Sequence, residues 1–145
     1  MKKKEIEFKK AELIIDLVND YFNTECRNRD RYKITIISRQ IAMYLIRKNT
    51  KLSFMLIGSL FKRGHDTVLY SVNRIKDTMP FDREIRFYVD DLKNDAKLIG
   101  KYEDIDLKKH HYKLAINEKL DNLDLSQLKL VSKYLSHKYI NQLVA

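Results

Sequence analysis

Residues 57–75 read Ile-Gly-Ser-Leu-Phe-Lys-Arg-Gly-His-Asp-Thr-Val-Leu-Tyr-Ser-Val-Asn-Arg-Ile, and this stretch decides the fold. Its first part has the apolar spacing of a short helix, a basic turn with Gly64 follows, and a second helix opens on polar side chains able to touch bases. A helix-turn-helix needs these parts in this order, because its first helix packs across a second whose N-terminal side chains enter the major groove. The stretch therefore predicts a helix-turn-helix.

Positive charge is concentrated around this stretch. The chain has 145 residues and a formal net charge of +9. Residues 24–76 hold twelve Lys or Arg and three acids, whereas the rest of the chain holds seventeen of each. A basic patch is expected of a surface that binds phosphates, because each neutralised phosphate releases condensed counterions. The alternative is that the charge only aids solubility, but its concentration in a third of the chain favours phosphate binding.

The composition predicts a small all-α protein. Three glycines and one proline leave few signals for hairpins, and 44% hydrophobic content suits one core with an appendage. The single Cys26 can form no internal disulfide, and the basic N-terminus lacks the apolar run of a signal peptide. No stretch has the length and apolarity of a membrane span. We therefore expect a soluble cytoplasmic protein.

Apolar spacing predicts two helices before the decisive stretch. The first covers residues 5–22 and presents one apolar stripe. Residues 23–33 are too polar to pack and are predicted as an exposed loop or arm. The second helix follows, with Thr35 or Ser38 as its N-cap and an end near residues 49–51.

Capping residues mark the helices that follow. Ser53 can cap the first helix of the helix-turn-helix. Gly64 permits the backbone conformation that a tight turn often needs, and the recognition helix is expected over about residues 66–77. Asp82 can cap a further helix that closes the domain near Gly100.

Beyond this domain the sequence predicts a helical tail. Two helices are expected over residues 102–120 and 126–144, with Ser126 as the cap of the second. We therefore divide the chain into a helix-turn-helix domain at residues 1–100 and a tail at 101–145. The tail helices either pack onto the domain or form a dimerisation or partner-docking element, because two amphipathic helices can bury their stripes against a copy of themselves.

Three segments resemble a known family. They are residues 39–45 (Arg-Gln-Ile-Ala-Met-Tyr-Leu), the Ile-Gly pair at 57–58 with Phe61, and residues 63–69 (Arg-Gly-His-Asp-Thr-Val-Leu). Together they are similar to the C-terminal DNA-binding domain of the bacterial chromosomal replication initiator DnaA, a helix-turn-helix of the Trp-repressor-like type. Weaker similarity extends over about residues 10–100.

The resemblance implies where duplex DNA is contacted. Arg31, with Arg29 as the alternative, corresponds to an arginine that enters the minor groove, where a narrow groove concentrates negative potential. The positions implied to contact the DNA backbone are Arg39, Gln40, Arg47, Ser53, Phe54, Arg63, Tyr70 and Arg74. The positions implied to read bases in the major groove are Gly64, His65, Asp66 and Thr67. Backbone contacts set the register, and base contacts specify the sequence.

Two of the base-reading positions differ from the family pattern. Gly64 lacks the family's carboxylate, and Asp66 replaces a threonine whose methyl group can meet a thymine methyl. An aspartate can instead accept a hydrogen bond from cytosine N4, although it repels phosphates. The alternative is that Asp66 caps the recognition helix, where the helix dipole stabilises a carboxylate.

No motif for catalysis or metal binding stands out. The chain has no Gly-x-x-x-x-Gly-Lys-Ser/Thr phosphate loop, and the adjacent His110 and His111 have no further ligands nearby in sequence. We expect no enzyme activity, cofactor or metal. The sequence predicts a stand-alone, sequence-specific binder of double-stranded DNA that regulates replication initiation or transcription on the nucleoid. The alternative is an interaction module that keeps the fold and docks a replication or regulatory protein without specific DNA binding.

Overall fold

The computed structural model describes residues 3–102 and 107–135, and every regular element in these ranges is a helix. The all-α prediction is confirmed. The helices are α1 (Lys3–Phe22), α2 (Lys33–Asn49), α3 (Phe54–Phe61), α4 (His65–Thr78), α5 (Arg83–Gly100), α6 (Leu107–Asp121) and α7 (Leu125–Leu135). Within the described ranges no helix has the length and apolarity needed to cross a membrane.

The chain divides into two compact units, residues 1–108 and 109–145. In the first unit α2 is central, because it packs against α1, α3, α4 and α5. Its residues 41–46 are all buried, so every side of this part of the helix meets protein. The helix-turn-helix pair, α3 and α4, is therefore carried on one side of a shared core.

The predicted cap of α5 is confirmed. The carboxylate of Asp82 accepts hydrogen bonds from the backbone N–H groups of Glu84 and Ile85, at 3.0 and 3.1 Å. These two groups have no partner within the helix, and satisfying them stabilises its first turn. α5 then buries one stripe, which includes Ile85 and Val89, and ends at Gly100 as the sequence predicts.

α2 begins earlier than the sequence predicts. Thr35 and Ser38, the two expected caps, are buried inside the helix, and the Ser38 hydroxyl donates to the Thr35 carbonyl at 2.8 Å. Tyr32 precedes the helix without a side-chain cap, and its backbone N–H donates to the Asp30 carboxylate at 3.2 Å. The prediction was wrong because the core buries Thr35 and Ser38, so neither side chain is free to cap the helix.

The loop between α1 and α2 is anchored rather than wholly exposed. Asn23 takes a left-handed conformation, with φ 51°, directly after α1. The Cys26 side chain is fully buried, and its backbone N–H donates to the Asn19 side chain at 2.8 Å. Burial raises the pKa of the Cys26 thiol to about 12. A segment predicted as too polar to pack is therefore held by one small apolar side chain.

The tail helices begin at other residues than predicted. Asp124 rather than Ser126 caps α7, because its carboxylate accepts from the Gln127 N–H at 2.8 Å and the Gln127 side chain accepts from the Asp124 N–H at 3.0 Å. This reciprocal pair is a capping box. Tyr102, expected to start the first tail helix, lies outside α6 and is buried. The predicted helical residues 136–144 lie outside the described residues.

Candidate nucleic-acid interface

The turn between α3 and α4 is fixed from its α3 side. Lys62 takes the left-handed conformation, with φ 54° and ψ 45°. The Arg63 N–H donates to the Gly58 carbonyl at 2.9 Å, and the Lys62 N–H to the Ser59 carbonyl at 3.4 Å. These two bonds form a Schellman motif, in which glycine usually holds the left-handed position.

Gly64 does not supply the turn conformation. Its φ of −73° and ψ of 164° are extended values that any residue adopts. The prediction was wrong because the hydrogen bonds at the end of α3 place the left-handed residue at Lys62, two positions earlier. The glycine that the turn requires is Gly58, since a Cβ atom there would collide with the Arg63 carbonyl.

The start of α4 is exposed. His65 is the first helical residue and Gly64 is the N-cap, without a side-chain hydrogen bond. The His65 Nε2 and Asp66 Oδ1 atoms lie 2.9 Å apart, on side chains that are 64% and 90% exposed. The capping alternative for Asp66 is wrong, because Asp66 lies inside the first turn. Its carboxylate still lies at the positive end of the helix dipole.

One face of α4 is free along its length. Thr67, Tyr70 and Arg74 are exposed, whereas Val68 and Ile75 are buried against the core. Residues four apart lie on the same side of a helix, so Tyr70 and Arg74 continue the face that Asp66 begins. The helix-turn-helix therefore presents a polar face of α4 outward.

Two predicted backbone-contact arginines lie close enough to repel each other. Burial lowers the pKa of Arg39, and the positive charge of Arg63 lowers it further. One end of the Arg39 guanidinium is occupied, because Nη1 donates to the Asn28 carbonyl at 2.7 Å. The Arg63 Nε is buried and has no hydrogen-bond partner among the described residues. An anion bound between the two guanidinium groups would relieve this repulsion.

A cavity of about 340 Å³ brings together three further predicted site residues. Arg31 from the loop, Gln40 from α2 and Arg74 from α4 all line it. Lys33 lines it as well, and was not singled out in the sequence. Arg29 is exposed in the same loop but is not among the lining residues.

Arg47, Phe54 and Ser53 form a separate group at the start of α3. The Arg47 guanidinium lies 4.2 Å from the centre of the Phe54 ring, and its Nη1 donates to the Leu52 carbonyl at 3.0 Å. The Ser53 side chain accepts from the Leu56 N–H at 3.3 Å, so the predicted cap of α3 is confirmed. A guanidinium carries five N–H donors, so these contacts leave Arg47 able to bind a phosphate.

Lys62 is a second cation that the sequence analysis left out of the site. It lies exposed on the turn, beside Arg63. Both Lys62 and Lys33 belong to the basic stretch at residues 24–76. Their positions could not be predicted, because Lys62 is placed by the Schellman motif and Lys33 by the observed start of α2. The described residues contain no group of three His, Cys, Asp or Glu side chains able to hold a metal. The side chains of His110 and His111 lie outside that description.

The geometry defines a class: an all-helical helix-turn-helix domain whose second helix presents a polar face flanked by arginines. Residues 11–75 match the family described as the bacterial DnaA protein helix-turn-helix. The match covers less than half of the chain, and over this segment it confirms the resemblance to the DnaA C-terminal domain.

Curated relatives agree with this match. The chromosomal replication initiator protein DnaA of Thermus thermophilus is 39% identical over 77 residues, which are 50% of this chain and 18% of the relative. The protein of the same name from Chloroflexus aggregans is 35% identical over 80 residues, 52% of this chain and 17% of the relative. The protein of the same name from Desulfotalea psychrophila is 38% identical over 92 residues, which are 61% of this chain and 19% of the relative. The chain spans less than a fifth of the length of these relatives.

Proposed function

We propose that this chain binds double-stranded DNA sequence-specifically through α4 and acts as a stand-alone regulator of replication initiation or transcription on the nucleoid. The observation that carries the proposal is a set of two arginine pairs around the helix-turn-helix. Arg31 and Arg74 line one cavity, and the charge of Arg63, on the turn before α4, acts on Arg39. The match of residues 11–75 to a DnaA helix-turn-helix supports it, as do relatives named for replication initiation.

In this proposal the arginines beside α4 bind the DNA backbone and the minor groove. Arg39 and Arg63 share one phosphate, because a single anion relieves their mutual repulsion. Arg31 enters the minor groove, with Arg29 as the alternative. The remaining backbone contacts are made by Gln40, Arg47, Ser53, Phe54, Tyr70 and Arg74.

Base reading falls to the start of α4, at Gly64, His65, Asp66 and Thr67. With no side chain, Gly64 lets the backbone approach the bases closely. Asp66 accepts a hydrogen bond from cytosine N4, while its neighbour His65 contacts an adjacent base. Because the His65 Nε2 and Asp66 Oδ1 atoms lie 2.9 Å apart, we expect the two side chains to contact adjacent bases together.

The salt dependence of binding to random duplex is the first test. Five or six phosphate contacts should give a log-log slope of roughly −4 to −5, since each contact contributes about −0.9. Arg74→Ala, which removes an arginine that shares its phosphate with no other cation in this proposal, should reduce the slope by about one unit. Lys97→Ala, which removes an exposed lysine late in α5, should leave it unchanged. A slope near zero for the unaltered chain would exclude the proposed phosphate surface.

Selection from random duplexes is the second test, and it reports specificity. We expect the unaltered chain and Lys97→Ala to enrich the same sequence. His65→Ala should relax the preference at one or two major-groove positions, and Arg31→Ala should remove a preference for a narrow minor groove. Enrichment of the same sequence by His65→Ala would exclude the assigned base-reading role.

We also propose that the tail, residues 101–145, serves as a dimerisation or partner-docking element for a second copy or a replication protein. Leu125 and Leu130 of α7 are each 69% exposed, and α7 buries none of its described residues. Sedimentation of the full chain at increasing concentration tests the dimer. A dimer that Leu125→Asp and Leu130→Asp dissociate supports the self-association; a monomer at every concentration leaves a different protein as the partner.

A further inference from the structure

A second basic surface lies away from α4, within the first unit. It is a groove of about 860 Å³ between the start of α1, the α2–α3 connection and the end of α5. We call it the lysine groove. Four exposed lysines form its rim, and four apolar or aromatic residues form its floor. The rim residues are Lys3, Lys4, Lys51 and Lys101, and the floor residues are Ile6, Leu52, Leu56 and Tyr102.

Internal bonds hold the frame of this groove. The buried Lys10 ammonium donates to the Gly100 carbonyl at 2.9 Å and to the Glu7 carboxylate at 3.3 Å. The other Glu7 oxygen accepts from the Lys51 backbone N–H at 3.0 Å. These bonds join α1, the α2–α3 connection and the end of α5, so the groove is preorganised.

Within residues 3–102 and 107–135, the lysines of the groove outnumber its acids. Glu7 is the single acid among the lining residues that the structure describes, and both of its oxygens are already bonded. Within residues 3–102 and 107–135, none of the four rim lysines forms a salt bridge. A ligand that carries several negative charges therefore meets free ammonium groups around the rim.

The apolar floor narrows the chemistry of that ligand. Leu52 and Tyr102 are buried, at 2% and 9% exposure, whereas Ile6 and Leu56 are half-buried and offer the apolar surface that a ligand can cover. A nucleic-acid backbone has no apolar group that could cover such a floor. A flat anionic membrane would contact the rim lysines but not the floor. A peptide with carboxylates on both sides of one apolar side chain satisfies both parts of the groove.

We propose that the lysine groove binds an acidic segment of a partner protein, with one apolar side chain of that segment on the floor. The groove shares no lining residue with the DNA surface proposed above. The inference therefore does not rest on the proposed DNA binding.

The test uses the full chain and a fluorescein-labelled peptide of six Asp and Glu residues around a central Phe. Binding is followed by fluorescence anisotropy at low ionic strength. One control peptide has serine in place of phenylalanine, and a second has Asn and Gln in place of all acids. We expect both controls to bind about tenfold more weakly or worse, because each removes one of the two matched properties.

Paired charge reversals locate the site. Lys51→Glu with Lys101→Glu should lower the affinity for the acidic peptide about tenfold or more, because two attractive charges on the rim become repulsive. The matched control, Lys9→Glu with Lys93→Glu, makes the same change of net charge on exposed lysines that do not line the groove, and should weaken it less than about twofold. Both pairs should keep the helical circular dichroism of the unaltered chain.

Three outcomes would overturn the proposal. The first is an equal loss of peptide binding in both charge-reversed pairs, and the second is equal binding of the phenylalanine and serine peptides. The third is binding to vesicles of anionic phospholipid that depends on Lys51 and Lys101 while the peptide does not bind, which would make a membrane the occupant. Duplex binding, measured on the same variants, is a separate readout, so its failure leaves this test intact.

Discussion

The turn between α3 and α4 has two sides that are built differently. On the buried side, Gly58 lies against the Arg63 carbonyl and Lys62 holds a left-handed conformation, so backbone geometry restricts the residues that fit. On the exposed side, nothing lies within 4 Å of a Cβ placed on Gly64, and Asp66 is 90% exposed. The buried side therefore restricts the residues that the turn accepts, while the exposed side is free to vary in sequence.

Gly58→Ala tests the buried side and should have the largest effect. The added methyl group meets the backbone carbonyl of Arg63, so either α3 or the turn must shift. We expect a loss of about 2 to 3 kcal/mol in the free energy of unfolding, measured by urea denaturation. Ser59→Ala, one residue along the same helix, provides the control. A loss below about 0.5 kcal/mol would show that the turn is not tightly constrained.

Lys62→Gly tests the same side in the opposite direction. Glycine adopts the left-handed conformation without the steric cost that lysine bears, so we expect a gain of about 1 kcal/mol in the free energy of unfolding. Lys62→Ala removes the same charge but keeps the steric cost, and should give no such gain. If the two variants were equally stable, the strain assigned to Lys62 would be absent.

Asp66→Asn moves to the exposed side, where stability and binding should change in opposite directions. Losing the carboxylate from the first turn of α4 should cost about 0.3 to 1 kcal/mol. The affinity for random duplex should rise, because a negative charge facing phosphates has been removed. Thermal denaturation and anisotropy on the same protein measure both. Asp77→Asn, in the last turn of α4, controls for the change in net charge. A weaker affinity for every duplex would contradict the assigned repulsion.

Gly64→Ala should have the smallest effect on stability. Its extended backbone and open surroundings accept a methyl group. The loss of unfolded-state freedom offsets the poorer capping by alanine, so we expect a change within about 0.5 kcal/mol. Calorimetry on Gly64→Ala and Gly58→Ala under the same conditions compares the two losses of stability directly. Similar large losses at Gly58 and Gly64 would remove the distinction between the two sides of the turn.

Features set by local chemistry were predictable from the sequence. Ser53 and Asp82 cap their helices as expected, since a capping side chain bonds to backbone groups two or three residues away. The helix-turn-helix was predictable as well, because the apolar spacing of α3 and α4 also depends on residues that are close in the sequence. The family match over residues 11–75 confirmed it.

Features set by tertiary packing were not predictable. Thr35 and Ser38 have the chemistry of caps, but the core buries them inside α2. Cys26 is held in the loop by Asn19, a contact that no local pattern indicates. The cavity that joins Arg31, Gln40 and Arg74 depends on three separate segments meeting. The roles of these arginines in binding DNA remain predictions.

The bond between Lys10 and Gly100 joins the first half of α1 to the end of α5, and Lys3 lines the same groove as Lys101. A folded unit whose entry and exit points adjoin can be spliced into a host polypeptide without stretching the host, because both junctions open at the same place. The first unit is thus suited to insertion into another protein. A circularly permuted form that joins the end of α5 to the start of α1 should keep the same fold.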